Sequence, residues 1–277
     1  IMNILISFSG GRTSAYMAKL VLENNFFKDY NKLVVFANTG KELEKTLEFV
    51  DKCDKEFNLN VVWVEADVVH EKGKGTNYKV VDFETASRSG QPFEEVIKKY
   101  GLPSKLYRHC TRELKEVPIH KFAKDFFGSN KYLTAIGIRA DEKHRVGKDA
   151  HKIYPLNEAG ISEQNIREWW DKQSFDLQIK DYEGNCDGCF LKSIRKKMTI
   201  NKEDPKVFEW WAKMENKYNA ERQPMFDVYR DMPITKLIEL SKMPFKTAKD
   251  KHELRLMQSS LFEVDMDYED DCFCKAV

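Results

Sequence analysis

The chain has 277 residues, 42% hydrophobic and 33% charged, with 46 Lys and Arg against 45 Asp and Glu for a net charge of +1. At about 150 residues per domain this is one large domain or two small ones, and the near-neutral balance leaves any polyanion binding to local patches. No apolar run reaches the roughly 18 residues of a membrane span and no basic-then-apolar leader opens the chain, so a cytoplasmic protein is expected and membrane, secreted and disordered classes are set aside.

Ile4-Leu5-Ile6-Ser7-Phe8 reads as a buried parallel strand, running through Ser9-Gly10-Gly11-Arg12-Thr13-Ser14 into a helix over 15–22. Leu33 to Ala37 is a second strand, followed by Asn38-Thr39-Gly40 and a helix from about Glu42 to Phe57, with Leu43, Leu47, Val50 and Phe57 at helical spacing. Val61 to Val64 is a third strand, and this alternation predicts a parallel sheet. From Asp67 to Leu106 an irregular, partly helical excursion is expected. Glu113 to Phe127 reads as a helix with Pro118 near its start or at a kink, Tyr132 to Ile138 as a fourth strand, and Ile153 to Leu156 as a short fifth. Ser162 to Trp170 fits a capped helix, and Asp204-Pro205 opens another in a mostly helical remainder. The expected fold is α/β, an open, mostly parallel twisted sheet with helices on both faces over residues 1–160. A mostly helical C-terminal appendage, 161–277, carries a Cys-x-x-Cys and an acidic Cys-x-Cys tail.

A strand, a Ser-Gly-Gly-x-x-Ser turn and a helix suit an anion. Glycines let the backbone present its N–H groups, and the helix start adds its positive dipole. Ser9, Thr13 and Ser14 add hydroxyls, and Arg12 a planar fork for phosphate oxygens. The glycine spacing is neither that of a Walker loop nor that of a dinucleotide fingerprint. It resembles the PP-loop, Ser-Gly-Gly-Lys-Asp-Ser, of the ATP pyrophosphatases and phosphoadenosine-phosphosulfate (PAPS) reductases. Arg12 keeps the charge of the lysine, and Thr13 removes the carboxylate of the aspartate. Three further segments are similar to that family's motifs: Asn38-Thr39-Gly40 with Glu42 and Thr46; Cys110-Thr111-Arg112-x-Leu114-Lys115-x-x-Pro118; and Gly137-Ile138-Arg139-Ala140-Asp141-Glu142 with Arg145. The resemblance implies an adenine nucleotide, ATP or PAPS/APS, with Mg²⁺. It would lie on Ser7, Ser9, Gly10, Gly11, Arg12, Thr13, Ser14, Asn38, Thr39, Gly40, Gly137 and Arg139, with Arg12, Lys115 and Arg139 stabilising phosphate charge.

Of six cysteines, Cys186 and Cys189 stand one turn apart, a spacing that suits zinc or an iron–sulfur cluster. Within the resemblance, Cys110 joins them and Cys272 is a fourth metal ligand, the set expected for the family's [4Fe–4S]-containing branch. His109 stands where the iron–sulfur adenosine-phosphosulfate (APS) reductases carry a second adjacent cysteine. A structural zinc on Cys110, Cys186, Cys189 and His109 is the alternative. Cys272 and Cys274 are also candidates for sulfur relay or disulfide reduction. Cys53 reads as a small core residue, and the pairs Trp169-Trp170 and Trp210-Trp211 as packing.

Arg108 and Arg112 flank Cys110, Arg139 and Arg145 bracket the fourth-strand motif, and Lys192, Arg195, Lys196 and Lys197 follow the Cys-x-x-Cys. Singly each is a solvated face, but together they point to a polyanionic co-substrate. The function expected from the resemblance is adenylation of an acceptor, tRNA or DNA, for cluster-assisted sulfur transfer from a sulfur donor. A PAPS/APS reductase drawing on a thioredoxin-like reductant is the alternative, and a nucleotide-binding regulatory module without turnover is the third. No membrane partner is expected, and a homodimer is allowed.

Overall fold

The computed structural model describes residues 2–218 and 232–250. In chain order the elements are β1 (Asn3–Phe8), α1 (Arg12–Glu23), β2 (Asn31–Asn38), α2 (Glu44–Phe57), β3 (Val61–Val68), β4 (Thr76–Val81) and α3 (Gln91–Tyr100). Then come α4 (His109–Thr111), a wide π turn (Arg112–Glu116), α5 (Val117–Phe127), β5 (Leu133–Ala135), β6 (Lys152–Ile153), α6 (Pro155–Glu158), α7 (Glu163–Trp170), α8 (Ile194–Glu203), α9 (Pro205–Lys217) and α10 (Ile234–Ser241). The chain divides into two compact units. One runs to Phe93 and resumes over Thr111–Gln178; the other holds Glu94–Cys110 and the described chain from Ile179 onward.

The first unit is built on a six-stranded sheet in the order β4-β3-β2-β1-β5-β6. β1 pairs in parallel with β2 on one side and with β5 on the other, and only β4 runs antiparallel. Ile4, Leu5 and Ile6 are completely buried, as a strand flanked on both edges and both faces requires. Side chains on β2 alternate between two cores. Leu33, Val35 and Ala37 join Ile119 and Ala123 of α5 on one face, while Phe36 points to the other, where Thr46 and Val50 of α2 surround Gly10. Helices therefore cover both faces of the sheet.

Three expectations are corrected. The excursion after Asp67 contains a strand, β4, whose Tyr78 packs edge-on against Phe122 (5.4 Å) and donates to Asp125 (2.7 Å). The fourth strand is confined to Leu133–Ala135. The fifth stops at Ile153, because Pro155 starts α6. Pro118 is accommodated as expected, but by a specific device: Val117 N–H reaches five residues back to the Arg112 carbonyl. The widened turn ends just where a ring lacking N–H would crowd an ordinary helix.

In the second unit Ile200, Val207, Phe208, Trp211, Met214, Ile234 and Leu237 of α8, α9 and α10 are buried together. Asp204 caps α9 by accepting from Lys206 N–H, with Pro205 in the first turn. Glu215 accepts from Ile234 N–H (2.7 Å), and Asn201 donates to Ser241 (2.6 Å). Among the described residues no helix is long and apolar enough to cross a membrane.

Candidate functional site

The chain leaves β1 towards β2 and β3 on one side and returns on the other side of β1 as β5, so the sheet order reverses between β1 and β5. Ligands of open parallel sheets collect in the crevice at the carboxyl ends of such strands. Both flanking turns are there. Gly137 follows β5, and a Cβ on it would lie 3.4 Å from Ser14 Cα and 3.6 Å from Thr13 Cγ2, so Gly137 lies directly against the start of α1. Ser7 sits inside β1 opposite Val35.

Between β1 and α1 the Ser9 and Gly11 N–H groups both donate to Ser14 Oγ (3.1 and 3.3 Å), and Ser9 Oγ lies 2.9 Å from it. One oxygen thus gathers two backbone donors and a hydroxyl at the N-terminus of a helix with no acid in its first turn. The two glycines differ. Gly10 has φ +79°, and a Cβ there would press Thr46 Cγ2 at 2.9 Å and the Phe36 ring at 3.0 Å. Gly11 has φ −106°, which any residue adopts, and its Cβ would meet only Ser9 Oγ, at 4.0 Å.

The turn after β2 is shaped by its own side chains. Asn38, fully buried, donates to Glu65 Oε1 (2.6 Å) and to the Ser87 carbonyl (2.9 Å) and accepts from Gly40 N–H (3.1 Å). Thr39 donates through both N–H and hydroxyl to Glu42 Oε2 (2.8 and 2.6 Å). Lys79 Nζ stands 2.8 Å from Glu65 Oε2, an ion pair without hydrogen-bond alignment that offsets the buried carboxylate.

The expected cations are each found beside acids. Arg12 grips Asp176 in a two-point fork (Nε–Oδ1 2.7 Å, Nη2–Oδ2 2.9 Å), and its carbonyl accepts from the Trp170 indole (3.1 Å). Arg139 grips Asp141 (Nη2–Oδ2 2.9 Å) and lies 3.5 Å from Glu163. Partial burial works against ionising Asp141, but the hydrogen bond and charge of Arg139 outweigh it and hold its carboxyl below the usual range. Arg145 pairs with Glu142. Lys115, on the π turn, is 3.8 Å from Glu42.

In the second unit the Cys186–Cys189 segment is a tight turn, with Cys189 N–H on the Cys186 carbonyl (3.1 Å). Asp187 accepts from the Trp211 indole N–H (2.9 Å), and Gly188 lies flat against that ring, where a Cβ would be 2.0 Å from Nε1. Lys192, only 3% exposed, donates to the carbonyls of Cys186 (2.6 Å) and Asp187 (3.3 Å). Lys197 is also buried, so half of the basic run after the cysteines is interior and not a surface patch. Cys110 is half-buried on α4, beside His109, whose Nε2 is 3.0 Å from the Gly101 carbonyl.

This chain is 37% identical over 196 residues to the "Uncharacterized nin region protein ORF290" of Escherichia phage lambda, an alignment covering 69% of this chain and 67% of the phage protein. Residues 3–91, from β1 into α3, match the family described as "Phosphoadenosine phosphosulfate reductase domain". The chain belongs to the PAPS reductase family. Two proteins of Methanocaldococcus jannaschii are also similar. MJ0066 is 26% identical over 231 residues, 78% of this chain and 42% of its own length. MJ0973 is 29% identical over 158 residues, 54% of this chain and 32% of its own length. The chain therefore spans less than half of those two archaeal relatives.

The matched stretch holds the Ser9–Ser14 loop and the Asn38–Gly40 turn, and the sheet brings the first of these together with Gly137. Two residues that shape this PAPS reductase-family site escape a motif reading. Asp176 lies 164 residues from the arginine it holds, so no local pattern announces it. Glu65 leaves a trace, as an acid inside an apolar strand. Cys110, Cys186 and Cys189 fall in one unit, but among the described residues no three His, Cys, Asp or Glu side chains gather to hold a metal. Cys272 and Cys274 lie outside the described residues. Cys53 is a core residue as expected; burial first, then the charges of Asp176 and Asp54, push its thiol pKa far up. Trp170 and Trp211 are buried packing residues.

Proposed function

We propose that the protein binds an adenine nucleotide at the carboxyl ends of β1 and β5, phosphates on the Ser9–Ser14 loop, and adenylates an acceptor as the first half of a sulfur transfer. Gly11 carries this reading. Its backbone angles and surroundings admit a side chain, so the fold gives no reason for glycine there, whereas a phosphate approaching the Ser9 and Gly11 N–H groups does.

With MgATP as substrate, an acceptor oxygen attacks the α-phosphorus. The bond from that phosphorus to the bridging oxygen breaks, pyrophosphate leaves, and the acceptor's proton passes to solvent. The Ser14 hydroxyl now fills the place of a phosphate oxygen, and an arriving phosphate takes over its two N–H donors. Arg12 and Arg139 already hold carboxylates in the forked geometry that phosphate oxygens adopt, so each exchanges one oxyanion for another. Lys115 supplies a further charge. A sulfur nucleophile from the donor then displaces AMP from the acceptor. No step is assigned to iron.

The family match favours a second reading, reduction of PAPS. There a thiolate attacks the sulfonate sulfur, the sulfur–oxygen bond to the phosphate breaks, and a second thiol releases sulfite as a disulfide forms. Products decide between the two: pyrophosphate from ATP for the first, sulfite from PAPS for the second. The site itself is tested by titrating ATP and PAPS into Gly11→Val. Affinity is expected to fall at least about tenfold, since the side chain projects where the phosphate binds. The melting temperature is expected to move by no more than about 4 °C, because exchanging a glycine at a helix start costs on the order of 1 kcal/mol. Unchanged affinity for both nucleotides would refute the site.

A further inference from the structure

From Lys98 to Cys110 the second unit carries four basic residues and no acid, in a chain whose overall charge is +1. The segment is firmly held. Gly101 N–H returns to the Ile97 carbonyl (2.8 Å), Leu102, Pro103 and Ser104 are buried, and Ser104 and Tyr107 exchange backbone hydrogen bonds (3.0 and 3.1 Å). On this anchored turn Lys105, Leu106, Tyr107 and Arg108 are exposed one after another. Leu106 and Tyr107 stand 58% and 52% exposed. The other exposed large apolar side chains among the described residues, such as Phe26, Val80 and Phe126, stand singly in sequence. Arg108 Nε donates to the Lys105 carbonyl (3.3 Å), which steadies the turn and leaves the guanidinium fork at its rim. Among the described residues no carboxylate pairs with Lys98, Lys105 or Arg108. Arg112, by contrast, is engaged by Glu113.

We propose that the turn Lys105–Arg108 is a binding surface for single-stranded nucleic acid, Tyr107 stacking on a base while Lys105 and Arg108 meet the flanking phosphates. An exposed aromatic ring between two uncompensated cations on a pinned loop is the combination that binds a strand whose bases are unpaired, since each base offers a π-face and each phosphate a charge. A duplex would hide its base faces from Tyr107. The proposal deepens the reading above by naming the acceptor's chemical class and a surface for it, and rests on that reading for there being an acceptor. The binding itself needs no ATP.

The test is fluorescence anisotropy of a labelled mixed-sequence single strand of about 20 nucleotides, as DNA and as RNA, titrated with the full chain without nucleotide at several salt concentrations. Tyr107→Ala should weaken binding by about fivefold or more, and Tyr107→Phe should restore it, because stacking needs the ring and not the hydroxyl. The Lys105→Ala/Arg108→Ala double variant should flatten the dependence of log affinity on log salt by about 1.4, two phosphate contacts at ~0.7 each. All three variants alter exposed side chains and should keep the wild-type melting temperature and ATP affinity. No binding by the wild-type chain, or affinity unchanged in Tyr107→Ala, would overturn the proposal. A parallel ATP titration separates that outcome from failure of the nucleotide site.

Discussion

The first unit's glycine loop and the second unit's cysteine turn use the same residue for opposite ends. Gly11 borders open space, in a backbone conformation that asks for no glycine. Gly188 is pressed against the Trp211 indole so closely that no side chain fits, and its neighbours Asp187 and Lys192 are committed to the same turn. The contrast separates a glycine that leaves room for something outside the chain from one that the chain itself fills. It also shows what shapes the cysteine turn, the hydrogen bonds of Asp187 with Trp211 and of Lys192 with the Cys186 carbonyl.

The largest effect should come from breaking the filled side. Gly188→Ala places a methyl 2.0 Å from Trp211 Nε1, and overpacking of a fully buried tryptophan is expected to cost about 3 kcal/mol or more. Denaturant unfolding should show it, and a wild-type midpoint would mean that the turn can shift as a body. Within the first loop, Gly10→Ala should cost about 2 kcal/mol, from its positive φ and the contact with Thr46 and Phe36. Gly11→Ala should cost about 1 kcal/mol or less by the same measurement, the loss of an N-cap preference alone, and equal losses would erase the distinction drawn between them.

The mildest probe addresses the first unit alone. His120 is half-buried, with Nδ1 2.9 Å from the Tyr132 hydroxyl. Burial chiefly, aided by Lys152 and opposed by Glu116 and Asp149, lowers its pKa below the ordinary 6.5. The native state therefore keeps it neutral while the unfolded chain protonates below about pH 6.5. Stability is full above that value and lost as the pH falls from there towards the native pKa, with a slope of at most ~1.4 kcal/mol per pH unit. His120→Gln should flatten that part of the profile, and an unaltered profile would place the titration elsewhere.

What the sequence could and could not reveal follows from range and environment. β1, β2, α2 and β3 are legible because apolar runs and helical spacing are local. β4 escapes such a reading. It is an edge strand whose Asn77, Lys79 and Val80 are exposed, so it has no apolar run to announce it. The glycine loop was recognisable, but not that Arg12 and Arg139 hold carboxylates, which depends on Asp176 far along the chain and on a local turn at Asp141. Lys192 and Lys197 read as surface charges because lysine is rarely interior, and only the fold reveals that they are buried.

The sheet order has a consequence for synthesis. β1, whose Ile4, Leu5 and Ile6 are completely buried, is made first, yet its partner on one side, β5, begins about fifty residues after β4 has been made. At roughly 5–20 residues per second, the nascent chain spends some seconds with a bare apolar strand edge at the ribosome. During that interval β1 is a template for any other extended chain, and chaperone protection should matter most between emergence of β4 and arrival of Leu133.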